Sequence, residues 1–317
     1  KPILKEKIWG GQNLKSSLNK DIPANKKLGE SWEISGVENN VSVVENGFLA
    51  GNELDELIEI YMGDLVGDKV YEKFGTEFPL LIKFIDAQDD LSIQVHPNDE
   101  LSKERHNAFG KTEMWYVVDA DKQSKLYVGF DKAYTKDQYL SKFNNGEILE
   151  MVNAVEVEKG AVFFIETGTV HAIGKGVLIA EIQQTSDITY RVYDWDRQDS
   201  EGNFRDLHTE EALEAIDYSS KPSYKTEYTK TQNKSSEIVS CPYFTTNVLP
   251  IKGDISVNHF NKDSFVIYMC VKGSVRFTYQ NQKEDLKMGE TLLVPANLKE
   301  FTIASSVTSE LLEVYIL

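Results

Sequence analysis

Residues 78–115, FPLLIKFIDAQDDLSIQVHPNDELSKERHNAFGKTEMW, alternate apolar and polar side chains in two runs. That period commits the middle of the chain to β-structure. Strand side chains point to opposite faces in turn, so Ser92, Gln94 and His96 share one side while Leu91, Ile93 and Val95 take the other. Pro97 cannot donate to a ladder and ends the strand. After a polar loop, Lys111, Glu113 and Trp115 share a face, with Met114 and Tyr116 opposite. One face therefore offers an amide, an imidazole and a carboxylate. A buried polar atom without a partner costs about 1–3 kcal/mol, so groups turned inward together imply something held between them.

The rest of the chain fits around this pair. Residues 1–36 are irregular, with turns at Gly10-Gly11 and Gly29, and include a short strand, GESWEIS, whose Trp32 either fills a gap at a sheet edge or walls a pocket. A helix is predicted over 52–65, capped by Asn52 with Asp55 three residues on; Leu54, Leu57, Ile58, Tyr61 and Leu65 form its apolar stripe. Lys125–Phe130 reads as a strand. A second helical region starts at Thr135 and ends before Glu156, anchored by Leu140, Phe143 and Ile148. From Glu156 the β-pattern returns in GAVFFIETGTVHAIG (160–174) and GVLIAEIQQTSDITYRVYDWDR (176–197). There Glu181 and Gln183 share one face, as do Thr189, Arg191 and Tyr193. Thr209 caps a short helix through Ile216. The segment 218–237 is polar with almost no aliphatic residue and reads as a boundary. Short strands separated by turns follow to Leu317.

The expected organisation is a metal-binding, catalytic unit at 1–217, a linker at 218–237 and a small β-unit at 238–317. A weak internal repeat supports it. Gly160, Glu166, Gly168 and His171 recur in spacing as Gly289, Pro295, Asn297 and Glu300. The pattern G-x5-P-x-G-x2-H resembles the second motif of cupin barrels. The expected fold is therefore mainly β: two cupin-like β-barrels of the jelly-roll kind, with a few helices in the N-terminal part. The second copy has Glu300 in place of the histidine, so the C-terminal barrel is expected to lack a metal.

Gln94, His96, Glu113 and His171 form a candidate ligand set. Two imidazoles, one carboxylate and one amide oxygen suit a borderline divalent ion such as zinc, one per chain. His106, His208 and His259 are read as surface residues. A net charge of −17 argues against nucleic acid or an anionic membrane as partner, but not against a small phosphorylated molecule met by a local cluster of Lys and Arg. Two distant cysteines, Cys241 and Cys270, make neither a disulfide framework nor a CxxC site and suit a reducing compartment. No apolar run reaches the roughly 18 residues of a membrane helix, and the first residues lack a signal-peptide core. The expected location is cytoplasmic.

Four separated segments, FPLLIKFIDAQDDLSIQVHPND, KTEMWYV, GTVHAIG and SDITYRVYDWDR, together resemble the type I mannose-6-phosphate isomerases, in the family's order and over the N-terminal two-thirds of the chain. The short length is similar to the compact bacterial members. The resemblance implies a zinc-dependent aldose–ketose isomerase interconverting mannose 6-phosphate and fructose 6-phosphate through a cis-enediol. It supports Gln94, His96, Glu113 and His171 as zinc ligands, points to Arg191 as an essential arginine, and places Lys111, Lys83, Ser92, Glu181 and Asp187 in or near the pocket. Arg191, Glu181 and Lys111 are the expected catalytic groups; Ser92, Lys83 and Asp187 the expected substrate contacts. Glu181 and a lysine both remain open as the proton shuttle, and a Glu181–Arg191 salt bridge is the structural alternative. Where long-form members have a lysine six residues after the arginine, this chain has Arg197, which stays protonated and makes a poor base. The expected state is a monomer or weak homodimer. The other readings are a non-catalytic sugar-phosphate-binding cupin and a different metal-dependent cupin enzyme, such as an iron oxygenase.

Overall fold

In a computed structural model of the chain, residues 1–23, 26–198 and 201–317 are described. All strand pairing is antiparallel and falls into three sheets. The first has the order β1 (Ile3–Gly11), β2 (Leu28–Ile34), β3 (Leu80–Ala87), β10 (Val177–Gln184), β5 (Glu113–Ala120), β8 (Val162–Ile165). The second runs β11 (Tyr190–Tyr193), β4 (Ile93–Val95), β9 (His171–Ile173), β6 (Lys125–Phe130), β7 (Val152–Glu156). The third runs β12 (Ser236–Ser240), β13 (Thr245–Asn258), β18 (Glu300–Tyr315), β14 (Val266–Lys272), β17 (Thr291–Val294). A hairpin of β15 (Ser274–Tyr279) and β16 (Gln282–Lys287) joins it through β18. The fold is mainly β, as the alternation predicts.

The strands sort their side chains between separate cores. On β3, Ile85 and Ala87 face the second sheet, packing with Trp9, Trp115, Val117, Val128, Phe163, Ile173 and Ile179. Its other face, Leu80, Ile82 and Phe84, packs with Met114, Tyr116 and Ile182 against Phe244, Phe265, Ile267, Met269, Leu312 and Val314 of the C-terminal sheet. Every residue of β3 is buried, which explains a strand so nearly continuous in apolar residues. The second sheet is backed by helices α5 (Asp99–His106), α6 (Lys136–Asn144), α7 (Ile148–Met151) and α8 (Thr209–Ala215), with Ile93, Val95, Tyr139, Met151 and Ala212 among the packed residues.

Several local expectations need correction. The predicted helix at 52–65 is α2 (Leu54–Tyr61) followed by α3 (Gly63–Val66), broken at Met62, where φ is +47°. Glu53, not Asn52, is its N-cap, in a capping box with Glu56. Three further helices were not expected: α1 (Asn13–Ser16), α4 (Asp68–Phe74) and α5, which occupies much of the stretch read as a polar loop after Pro97 and is capped by Asn98. Thr135 does cap α6, through a capping box with Gln138, but residues 152–156 form β7 because they pair with β6. His208, not Thr209, is the N-cap of α8. The polar segment 218–237 is pinned along the first sheet: Thr226 N donates to Val162 O at 2.8 Å and Tyr228 Oη to Gly160 O at 2.6 Å. His259 is buried, not a surface residue; it lies 3.4 Å from Glu313, which also takes Lys262 Nζ at 2.9 Å and Tyr268 Oη at 3.0 Å.

The internal repeat is structural. Gly160 and Gly289 both turn the chain at positive φ, +86° and +89°. Each leads into a four-residue strand, β8 and β17, and the next strand of each copy begins at His171 or Glu300. His171 is buried, whereas Glu300 is exposed.

Candidate active site

Three strands deliver the ligand set. Glu113 opens β5 and is fully buried; Gln94 lies on β4, directly opposite His171 of β9. His96 follows β4, stopped by Pro97, and is buried at 1% exposure. The alternation holds here: Met114 and Tyr116 face the C-terminal sheet, and Glu113 and Trp115 face the interior between the first two sheets.

His96 Nε2 lies 3.5 Å from Glu113 Oε2, and His171 Nε2 lies 3.5 Å from Glu113 Oε1. These separations exceed a good N–H···O hydrogen bond. They match two ligand atoms held about 2.1 Å from a tetrahedral ion, which stand roughly 3.4 Å apart. Both Glu113 oxygens and both His96 ring nitrogens are buried without a hydrogen-bond partner. His171 Nδ1 donates to the Thr169 carbonyl at 2.7 Å, which leaves Nε2 as the lone-pair nitrogen facing the cluster. The Gln94 amide reaches His171 Nε2 at 3.3 Å, and an amide end is interchangeable by rotation. His96, Glu113 and His171 are the one such cluster among the described residues, and their ligand atoms lie within 4.8 Å of one another. The donor set fits a divalent ion.

Electrostatics agrees. Burial holds the His96 and His171 pKa values down, His171 to about 4, so both imidazoles are neutral ligands near neutral pH. Burial, with Glu181 nearby, pushes the Glu113 carboxyl well above its usual range in the absence of an ion. A buried carboxylate that Lys111, at 3.5 Å, only partly offsets is what a cation would relieve.

Beside the cluster, one row across the first sheet aligns Trp32, Lys83, Glu181 and Trp115. Lys83 Nζ donates to Glu181 Oε1 at 3.0 Å, and Trp115 Nε1 donates to Glu181 Oε2 at 2.9 Å. Burial opposes ionisation of Glu181, but Lys83 and Lys111 outweigh it and hold its pKa low. Burial likewise opposes the charge on Lys83, and Glu181 and Glu30 outweigh that, raising its pKa. Lys111 Nζ stands 3.5 Å from Glu113 Oε2. Ser92 is buried just ahead of β4.

Arg191 pairs in register with Gln94, is half-buried, and donates Nη1 to the Asp206 carbonyl at 2.7 Å; its Nε has no partner. The Glu181–Arg191 salt bridge does not form, because Lys83 occupies that carboxylate. Asp187 is exposed on the loop before β11 and is not drawn into the buried cluster. Arg197 donates to the Asp90 carbonyl at 2.5 Å and pins the turn after β3. Leu91, expected opposite Ser92, instead packs in the interior core, because β4 begins only at Ile93.

One participant is missing from the sequence reading. Glu30 on β2 is buried, accepts from Trp32 Nε1 at 2.6 Å and pairs with Lys7 Nζ at 3.0 Å; its partners hold its pKa at about 2 against the opposing effect of burial. The alternation of Glu30 and Trp32 in LGESWEI was the available signal. Elsewhere, a cleft of about 490 Å³ opens between α2 and the C-terminal sheet, lined by Leu49, Leu54 and Leu293 and by the Lys20–Glu33 pair. None of the candidate site residues lines it.

Residues 1–129 match the family described as phosphomannose isomerase type I, catalytic domain, and residues 234–316 match mannose-6-phosphate isomerase, cupin domain. Mannose-6-phosphate isomerase ManA of Bacillus subtilis is 37% identical over 309 residues, covering 96% of this chain and 94% of the relative. Mannose-6-phosphate isomerase of Streptococcus mutans is 35% identical, covering 93% and 91%. Among solved structures, that of mannose 6-phosphate isomerase from Bacillus subtilis superposes with a TM-score of 0.90 at 32% identity, covering 100% of this chain and 98% of that one. A variant of phosphomannose isomerase from Salmonella typhimurium shares the fold, with a TM-score of 0.82 at 18% identity and the same coverage.

Proposed function

The chain belongs to the type I phosphomannose isomerases, and from that premise we propose that it interconverts mannose 6-phosphate and fructose 6-phosphate at the Glu113 cluster, with zinc as its ion. The observation that carries the reading is the buried Glu113 carboxylate, facing two neutral imidazole nitrogens with no hydrogen-bond donor of its own. His96, His171, Glu113 and Gln94 are the residues that would hold the ion. When bound, it supplies fixed positive charge that polarises the sugar's carbonyl oxygen.

The protein's own groups account for the rest. Moving a proton between C1 and C2 through a cis-enediol requires a base beside those carbons. Glu181 is the proposed shuttle: Lys83 keeps it ionised, and Trp115 fixes its second oxygen. Its pairing with Lys83 leaves Lys83 as a charged partner rather than a competing base. Lys111, at the same interior face, donates toward the sugar oxygens as charge builds on them. Arg191 has an unpartnered Nε and a permanent charge suited to the phosphate or the developing oxyanion. Ser92, buried just ahead of β4, is a proposed substrate contact. Asp187 is proposed to meet substrate only through movement of its exposed loop. The proposed catalytic unit is 1–217, with 238–317 as its β-support.

A coupled assay for fructose 6-phosphate formed from mannose 6-phosphate tests this. Activity is expected to vanish on chelation and return with zinc. Activity that survives complete metal removal overturns the metal role. Metal-loaded protein without activity favours the non-catalytic sugar-phosphate-binding reading.

A further inference from the structure

Five cations stand on or beside the strands that carry the candidate site: Lys5 and Lys7 on β1, Lys83 on β3, Lys111 ahead of β5 and Arg191 on β11. β1 shifts register after Lys5, so contacts place the two lysines: Lys5 Nζ lies over the Trp32 ring and Lys7 Nζ meets Glu30, both on β2. Three of the five have a carboxylate close by. Lys7 pairs with Glu30 at 3.0 Å, Lys83 with Glu181 at 3.0 Å, and Lys111 with Glu113 at 3.5 Å. The other two have no carboxylate partner among the described residues. Arg191 is met by a backbone carbonyl. Lys5 is met by the Asn40 side-chain oxygen and by the Trp32 ring, whose centroid is 4.5 Å from Nζ. An aromatic face attracts an ammonium without cancelling its charge.

Position supports a substrate-facing role for Lys5. Lys83 Nζ lies 5.3 Å from the same Trp32 centroid. Lys5 and Lys83 therefore flank one ring, less than ten ångström apart, and Lys83 is the partner of Glu181. The phosphorus of an extended hexose 6-phosphate lies on the order of 8 Å from the C1–C2 bond, from bond lengths near 1.5 Å. A sugar whose C1 and C2 lie at Glu181 thus carries its phosphate as far as the Lys5 zone. Lys5 therefore offers an uncancelled positive charge within a hexose phosphate's reach of Glu181, in a chain whose net charge is −17.

We propose that Lys5 is a substrate-recognition residue, an ammonium held over Trp32 that engages the phosphate and sets the preference for phosphorylated over free hexose. This rests on the isomerase reading of the same site. Lys5→Met, Lys5→Arg and, as a control, Lys26→Met, whose lysine pairs with Glu6 at the surface, are compared with the unaltered protein. The measurements are steady-state kinetics on mannose 6-phosphate and competitive inhibition by inorganic phosphate. Lys5→Met is expected to raise KM about tenfold or more and to weaken phosphate inhibition by a similar factor, with kcat within about twofold. Lys5→Arg is expected to restore most of both, and Lys26→Met to change neither. Unchanged KM and phosphate inhibition in Lys5→Met overturns the proposal. So does a loss of kcat and melting temperature without weaker phosphate inhibition, which marks a structural lysine. If the unaltered protein shows no isomerase activity, the reaction assignment fails. Calorimetric titration with inorganic phosphate still decides the role of Lys5: heat lost in Lys5→Met supports it, and equal heat overturns it.

Discussion

At Glu113 the demands of folding and of chemistry oppose each other. Without an ion, burial raises its pKa, so folding takes up a proton there. The stability tied to that proton is full below the ordinary carboxylate range and is lost as pH rises through the raised value. His96 and His171 act the other way. Their pKa values are lowered, so their share is full above about 6.5 and is lost as pH falls toward the folded value of about 4 for His171. Glu113→Gln keeps the shape and removes the charge. The metal-free variant is expected to be more stable than metal-free parent protein at pH 8, by about 1–3 kcal/mol, while losing ion binding and isomerase activity. Scanning calorimetry after chelation, at pH 6 and pH 8, checks this; a variant that melts lower at pH 8 sinks the buried-carboxylate account. Glu181→Gln separates the proposed shuttle from the proposed ligands. It is expected to lower kcat by about 10²–10⁴-fold, with the ion still bound and KM little changed. Full kcat in this variant would return the shuttle to a lysine.

Among the elements, what was legible was whatever a period of two can encode. Glu113 and Trp115 face inward, and Met114 and Tyr116 outward, as the alternation requires. The repeat at Gly160 and Gly289 correctly marks two turn–strand–strand units. What was hidden depends on register and on distant partners. Glu30 meets Lys7 because β1 and β2 pair across a bulge, which no local pattern reveals. His259 is buried because β18 brings Glu313 beneath it. The helix break at Met62 rests on a positive φ without a glycine, so no sequence signal marks it. The two turn glycines also differ in a testable way. A Cβ at Gly289 would meet Leu18 Cβ and O at 2.6 Å, whereas at Gly160 the nearest atoms are 3.6 Å away. Both alanine variants incur the left-handed backbone penalty, about 1–2 kcal/mol. Gly289→Ala adds a clash with backbone and is expected to be the more destabilised in urea unfolding. Equal midpoints would show that the Leu18 segment yields freely.

Across the whole molecule, the first sheet is a shared wall. One of its faces carries the site; the other is buried against the C-terminal sheet through Ile82, Phe84, Met114, Tyr116 and Ile182, facing Phe265, Ile267, Met269, Leu312 and Val314. Burying a large apolar side chain fully contributes about 1.5–3 kcal/mol, and a whole domain is stable by only about 5–15 kcal/mol. Uncovering this face therefore removes an amount comparable to the whole stability of such a unit. The site depends on that wall, because Glu113, Lys83 and Glu181 sit on the same three strands, β5, β3 and β10, that would lose their backing. A chain ended after Asp217 is expected to lose cooperative thermal unfolding, expose apolar surface to a hydrophobic dye and fail to bind zinc, although every proposed ligand remains in it. Circular dichroism melting with a zinc titration decides the matter. A truncated chain that melts cooperatively and binds the ion would show that the C-terminal sheet is an addition to the site rather than its support.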